Sequence, residues 1–210
     1  MKKTLFIALM ASFTVNAQVR EKGEVEVSPF IGVSTANYFG DVGMMNEAVV
    51  NPYFGANLDL YFNNRWSLKT GVEYQTMGSQ GESYGFYGFE SFEEKINFVS
   101  VPIHANYHFS KNRRWYLNFG PTINFLTEAT SNGMNMKEGI TPVQLGLGLG
   151  IGYKIYVNER FSIGIDHQEY IGFTNNLKSK YNNNDLFIGN YFGSFSVKAI
   201  FKLGSSESEK

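Results

Sequence analysis

Val143-Gln144-Leu145-Gly146-Leu147-Gly148-Leu149-Gly150-Ile151-Gly152-Tyr153-Lys154-Ile155-Tyr156-Val157 is the stretch on which the fold turns. Every odd position is large and apolar or aromatic. The even positions are Gln144, four glycines, Lys154 and Tyr156. Strict period-two alternation predicts a β-strand with one apolar face, because successive side chains point to opposite sides of a sheet. The Gly-x-Gly-x-Gly-x-Gly run is not a dinucleotide-binding fingerprint, since the spacing differs and no βαβ unit surrounds it. Its four glycines share one strand face, where small residues let a crowded neighbour approach.

The same alternation recurs along the chain. It is read at Val25–Val33, Pro52–Phe62, Trp66–Thr76, Val99–Phe109, Trp115–Phe125 and Tyr191–Leu203, and more weakly from Phe161–Ile165 onward. With Val143–Val157 this makes eight strands. Three connections are short and polar: 63–65, 110–114 and 158–160. The segments 39–51, 78–94, 127–140 and 173–188 are long. The strand ends beside the short turns and at the chain end, Phe62, Phe109, Val157 and Leu203, are spaced by 47, 48 and 46 residues. The pattern predicts four up-and-down hairpins with both termini on the short-turn side.

Composition excludes several other classes. The 210 residues include 19 Phe, 13 Tyr, 2 Trp and 22 Gly, and only 18% are charged. So aromatic a chain does not read as disordered. Zero cysteine excludes disulfides and thiolate metal sites. A net charge of −1 gives no global basic field for nucleic acid. Outside the N-terminus no stretch approaches the ~20 apolar residues of a membrane-spanning helix. Met1-Lys2-Lys3, an apolar Leu5–Val15 run and Val15-Asn16-Ala17 read as a cleaved export signal over 1–17. The barrel domain is then expected over 18–203, with a polar tail over 204–210.

Alternation does not say which face is outside. A soluble ligand-binding barrel buries its apolar face, whereas a transmembrane barrel turns it to lipid. Four features favour the second. Strand lengths are near the ~9–11 residues that cross a tilted bilayer. Phe62, Trp66, Phe109, Trp115 and Phe161 flank the short turns on the apolar face, as an aromatic girdle at a periplasmic interface does. Loops are short on one side and long on the other. The polar face carries Asp59, Glu73 and Asp166 with Lys69, Lys154, Lys198 and Lys202, a mixture able to pair inside a narrow lumen. The expected fold is all-β, an eight-stranded antiparallel up-and-down transmembrane β-barrel.

The leader with Ala17-Gln18, the four hairpins and the turns Phe62-Asn63-Asn64-Arg65-Trp66, Asn112-Arg113-Arg114-Trp115 and Asn158-Glu159-Arg160-Phe161 resemble the small outer-membrane β-barrel proteins of Bacteroidota, in the porin-family or PorT-like group. The architecture is similar to the OmpX and OmpA barrels. The resemblance covers 18–203 and rests on architecture more than on motifs. It implies an outer-membrane location, contact with outer-membrane lipid, and insertion by the barrel-assembly machinery. The ending departs from the usual pattern, because Lys202, Leu203 and the polar tail follow Phe201.

Candidate chemistry is sparse. His104 and His108 lie four residues apart on one strand, ~13 Å at ~3.3 Å per residue, too far to share a metal. His108-Phe109-Ser110 resembles the His-x-Ser arrangement of lipid A deacylases, but sits at the expected periplasmic end. Asp166-His167-Gln168-Glu169 holds groups suited to acid–base work, although His167 falls on the lipid-facing parity. No cofactor or metal site is expected. The segment 78–94 carries Tyr84, Phe86, Tyr87, Phe89 and Phe92 among Gly, Ser and Glu. It reads as an extension of two strands beyond the membrane, with an edge or an aromatic surface for an extracellular or envelope protein partner. The expectation is therefore a non-enzymatic barrel with a structural or surface-binding role. A narrow solute pore and a lipid-modifying enzyme are the alternatives.

Overall fold

Two of the short turns are built alike. Asn63 Oδ1 accepts the backbone N–H groups of Arg65 (2.8 Å) and Trp66 (3.0 Å). Asn158 Oδ1 accepts those of Arg160 and Phe161, both at 2.9 Å. An Asx turn of this kind reverses the chain without needing glycine. The turn at 110–114 instead uses left-handed backbone at Ser110 (φ 73°) and Arg113 (φ 51°).

The computed structural model describes residues 20–41, 47–85, 88–182 and 186–203, with side chains placed for all of these except 83–85, 88 and 89. The expected leader over 1–17 and tail over 204–210 lie outside the described residues. So do Phe86, Tyr87 and the loop tip Asn183-Asn184-Asp185.

Eight strands form the barrel: β1 Val25–Gly40, β2 Val49–Tyr61, β3 Trp66–Gly85, β4 Gly88–Phe109, β5 Trp115–Ser131, β6 Val143–Tyr156, β7 Phe161–Gly172 and β8 Ile188–Leu203. A two-residue strand, Met134–Asn135, adds to the outer end of β5. Each barrel strand pairs antiparallel with its sequence neighbours, and β1 pairs with β8 from Val25↔Leu203 to Gly40↔Ile188. The sheet is therefore a closed ring, which removes exposed edges. Pro29 and Pro102 each coincide with a local gap in one ladder, as a residue without an N–H requires.

Burial alternates along most of each strand. On β2, Val49, Asn51, Tyr53, Asn57, Asp59 and Tyr61 are buried, while Val50, Phe54, Leu58 and Leu60 are exposed. Ile31 is 70% exposed and Phe195 62%. The apolar face lies outside and the polar face lines the interior. This is the reverse of a water-soluble barrel, and it is stable only where the exterior meets hydrocarbon.

The strands run farther than the single apolar face foretells. β1 continues to Gly40 where Val33 was expected as its end, and β7 reaches Gly172. β3 and β4 are 20 and 22 residues long. The reason is a switch in polarity. Along the outer face of β4, Ala105, Ile103, Val101 and Val99 give way to Asn97, Lys95, Glu93 and Ser91. A bulge shifts the β4–β5 register at Asn97/Phe98, and β5 turns outward-polar at Glu128. At this level Thr76 Oγ1 donates to Asn97 Oδ1 (2.7 Å), and Asn97 Nδ2 donates to Glu128 Oε2 (3.1 Å). Beyond this polar belt the interior becomes apolar, with Tyr38, Met77, Ile96, Phe98 and Ala129 in one cluster. Ile140 joins that cluster from the loop 132–142. The bridge Ile140↔Leu177 ties this loop to 173–187 over the outer mouth.

The glycine row of β6 has a spatial cause. A Cβ at Gly148 would lie 2.4 Å from His104 Cε1, and one at Gly152 would lie 2.2 Å from the Tyr116 ring. Each glycine yields its volume to a larger lumenal side chain from a nearby strand. Gly148→Trp is therefore expected to abolish folding into lipid vesicles. Loss of the mobility difference between unboiled and boiled protein on a gel would show this, and a variant that keeps the difference would contradict it.

Candidate functional site

The lumen is filled from the short-turn end upward. Glu26 is fully buried there. Arg20, from the segment before β1, donates through Nε to Glu26 Oε1 (2.8 Å), and its guanidinium lies 4.8 Å from the Tyr156 ring. Lys154 pairs with the other Glu26 oxygen and donates to Tyr61 Oη (2.7 Å). Tyr61 Oη donates to Glu26 Oε2 (2.8 Å). At the same end Lys202 pairs with Glu24 at 2.5 Å.

A second group occupies the middle. Asp166 pairs with Lys198 and accepts from Gln168 Nε2 (3.0 Å). Lys69, 2% exposed, lies 3.9 Å from Glu73. Tyr53 Oη donates to Glu73 Oε2 (2.6 Å). Asp59 accepts from Ser67 Oγ (2.9 Å) and Asn106 Nδ2 (2.7 Å). In these two groups Arg20, Lys69, Lys154, Lys198 and Lys202 thus accompany Glu24, Glu26, Asp59, Glu73 and Asp166, five charges of each sign. Neutrality is what a narrow, water-poor interior demands, because an unpaired buried charge costs several kcal/mol. A cavity of about 20 Å³ lies among Tyr53, Glu73, His104, Thr122, Gln168 and Phe192, roughly room for one water.

The structure places each sequence-picked group. Asp59, Lys69, Glu73, Lys154, Asp166 and Lys198 all point inward and are buried. Glu26, Arg20 and Glu24 belong with them and were missed. The Glu24-Val25-Glu26-Val27 alternation carries the signal for the two carboxylates, while Arg20 precedes the strand and has no periodic signature. His104 is held at both ring nitrogens, by Asn118 Oδ1 and Thr122 Oγ1, each at 2.9 Å. His108 Nε2 lies 3.1 Å from Ser67 Oγ inside the lumen, while Ser110 lies in the turn, so the His-x-Ser reading gains no shared site. Asp166 and Gln168 point inward, whereas His167 and Glu169 point outward. The four residues 166–169 therefore do not converge as an acid–base set. His167 Nε2 instead lies 2.7 Å from Glu169 Oε1, and its Nδ1 2.9 Å from the Ser194 carbonyl.

Two surfaces flank the lumen. Phe62, Trp66, Phe109, Trp115 and Phe161 lie on the outer face beside the short turns. Ring contacts link Trp66 to Tyr107 (4.7 Å), Phe109 to Trp115 (6.3 Å), Trp115 to Tyr153 (5.0 Å) and Phe161 to Phe201 (5.2 Å). Tyr107, Tyr153 and Phe201 extend the row read from the sequence. At the other end the β3–β4 hairpin stays in register up to Gly85↔Gly88. The backbone of Tyr84 and Phe89 is paired there. Phe92 is half-buried and lines a cavity of about 240 Å³ with Tyr38, Glu94, Met136, Ile140 and Leu177.

The structure is similar to the outer membrane protein OprG from Pseudomonas aeruginosa, with a TM-score of 0.51 at 11% identity over 88% of this chain and 97% of that one. It is similar to the outer membrane protein AlkL determined in DMPC lipid bilayers, with a TM-score of 0.51 at 10% identity over 94% of this chain and 98% of that one. Neisserial surface protein A aligns at a TM-score of 0.47 and 14% identity over 83% of this chain and 95% of that one. At such identities the likeness concerns the fold. No curated protein matches the chain in sequence.

The ion-pair layer at Glu26 generates a stability prediction. Lys154→Met leaves the Glu26 carboxylate with Arg20 and Tyr61, and is expected to cost about 3 kcal/mol, within the range for breaking a buried pair. Glu26→Gln combined with Lys154→Met is expected to recover part of that loss. Urea unfolding in vesicles followed by tryptophan fluorescence measures both. Equal losses for the single and double variants would refute the coupling.

The outer membrane protein beta-barrel domain family matches residues 16–178, most of the chain, and with a closed ring of eight strands, apolar outside and polar within, the chain belongs to that family and resides in the outer membrane.

Proposed function

We propose that this protein is a closed, non-enzymatic barrel that acts through its long loops as a structural or surface-contact element of the envelope. The observation that carries this reading is the β3–β4 hairpin, which continues past the Thr76–Asn97–Glu128 belt into water. Glu47 and Gln80 exchange backbone hydrogen bonds of 2.7 and 3.0 Å, and Asn132 N–H donates to the Glu93 carbonyl (2.9 Å). Beyond those contacts, among the described residues, the β3 edge after Gln80 and the β4 edge before Ser91 meet no further strand. Open edges of this kind accept a strand from a partner. Tyr84, Phe86, Tyr87, Phe89 and Phe92 would give such a contact its apolar content. The partner class is an extracellular or envelope protein.

The finer family reading is part of the proposal: a PorT-like member of the Bacteroidota porin family, exported by cleavage after Ala17 and inserted by the barrel-assembly machinery. The long loops then face outward and the short turns face the periplasm. The filled lumen supports a non-conducting barrel over the narrow-pore alternative.

Two measurements test this reading. Purified protein in planar bilayers is expected to give no steady single-channel conductance. A steady conductance would contradict the closed lumen and favour the pore. Glu82→Cys supplies a unique thiol on the exposed hairpin of a cysteine-free chain. Thiol cross-linking on intact cells of the native host is expected to yield a discrete adduct that disappears when residues 81–92 are replaced by a two-residue turn. Absence of any adduct would count against the contact role.

A further inference from the structure

The three short turns carry Arg65, Lys111, Arg113, Arg114 and Arg160 against a single carboxylate, Glu159. The β3–β4 hairpin at the opposite end shows the reverse, with Glu82, Glu90, Glu93 and Glu94. The basic end is built by repetition. Each turn closes with an arginine directly before an outward aromatic: Arg65-Trp66, Arg114-Trp115 and Arg160-Phe161. In each, that arginine's carbonyl accepts a backbone N–H from the adjacent strand. The donors are His108 (2.6 Å), Lys154 (2.8 Å) and Lys202 (2.9 Å). The sheet ladder therefore fixes the three arginines around one rim.

Two of the guanidinium groups reach tyrosine hydroxyls of the outer wall. Arg65 Nη1 donates to Tyr107 Oη (3.1 Å), and Arg114 Nη1 donates to Tyr153 Oη (3.5 Å). Both tyrosines belong to the aromatic row on the lipid-facing side. A tyrosine hydroxyl in that row sits where hydrocarbon meets headgroups. Arg65 is thereby held at headgroup depth on the lipid-facing side, while the Arg114 guanidinium, also 5.6 Å from the ring of inward-facing Tyr156, sits on the rim between wall and lumen.

We infer that this rim is a binding surface for anionic phospholipid in the leaflet on the short-turn side, with Arg65 and Arg114 as the headgroup contacts and Lys111 and Arg160 adding charge. Guanidinium groups match phosphate oxygens with paired N–H donors. Basic residues beside an anionic leaflet add attraction of about 1 kcal/mol each. An acidic protein would also be drawn to the charge, but both guanidinium groups bond tyrosines of the lipid-facing row, beside the headgroups. The inference does not depend on what the long loops contact.

The chain's two tryptophans, Trp66 and Trp115, directly follow Arg65 and Arg114, so they report on the lipid beside the rim. The test compares quenching of the folded, vesicle-reconstituted protein by dibrominated phosphatidylglycerol and by dibrominated phosphatidylcholine. Phosphatidylglycerol is expected to be preferred about fivefold, the factor that corresponds to about 1 kcal/mol. The preference should fall toward one in Arg65→Gln/Arg114→Gln, which keeps both tryptophans. In wild type it should fall likewise in molar salt, where charge attraction is screened. The salt arm needs no variant and decides the matter if the double variant does not fold. Equal quenching by the two lipids in wild type, or a preference unchanged by salt or substitution, would overturn the inference.

Discussion

A backbone that crosses hydrocarbon meets no water, so every N–H and C=O must find its partner within the protein. The β1–β8 ladder meets that demand, because it joins the first strand to the last and leaves no open edge within the wall. The rest of the design follows from closure. Eight strands enclose a bore too narrow for bulk water, so inward side chains must fill it and neutralise one another. Gly146, Gly148, Gly150 and Gly152 make room on one strand, and Tyr116, His104 and Gln168 occupy that room. The charges gather around Glu26 and Asp166 as pairs with further hydrogen-bond donors, the arrangement under which buried charge is tolerable.

The barrel also changes its solvent along its length. Below Asn97 the outside is apolar and the inside polar. Above it the outside carries Lys95, Glu93 and Glu128, and the inside carries Ile96, Met77 and Ala129. The upper part thus obeys the rule for water-soluble sheets and the lower part its inverse, within the same continuous strands. The β5 bulge near Thr127 marks the change, where a one-residue shift re-aims the side chains that follow.

This explains what the sequence made legible. The lower strands could be read because one face is apolar along a whole run, as in Val143–Val157 and Val99–Phe109. That same criterion stopped short at Val33, Thr76 and Val99, since the apolar residues cross to the inner face there. The inward position of Asp59, Lys69, Glu73, Lys154, Asp166 and Lys198 followed from parity alone. Which cation meets which anion did not, because Glu26 and Lys154 are brought together by ring closure across 128 positions. Arg20 was hidden for a related reason: its place is set by the lumen it enters. Parity likewise separates Asp166 from His167, although adjacency in sequence had grouped them.

The inverted lower barrel and its boundary at Asn97 can be mapped directly in lipid. The absence of cysteine in the chain permits a single-cysteine spin-label scan of β4 from 91 to 109 in lipid vesicles. Labels at 99, 101, 103, 105 and 107 should collide freely with oxygen and poorly with a water-soluble nickel complex. Labels at 91, 93 and 95 should show the opposite, and even-numbered positions from 98 to 108 should be shielded from both. Nickel accessibility at 101 and 103, or oxygen accessibility at the even positions, would contradict a barrel that faces lipid with this side.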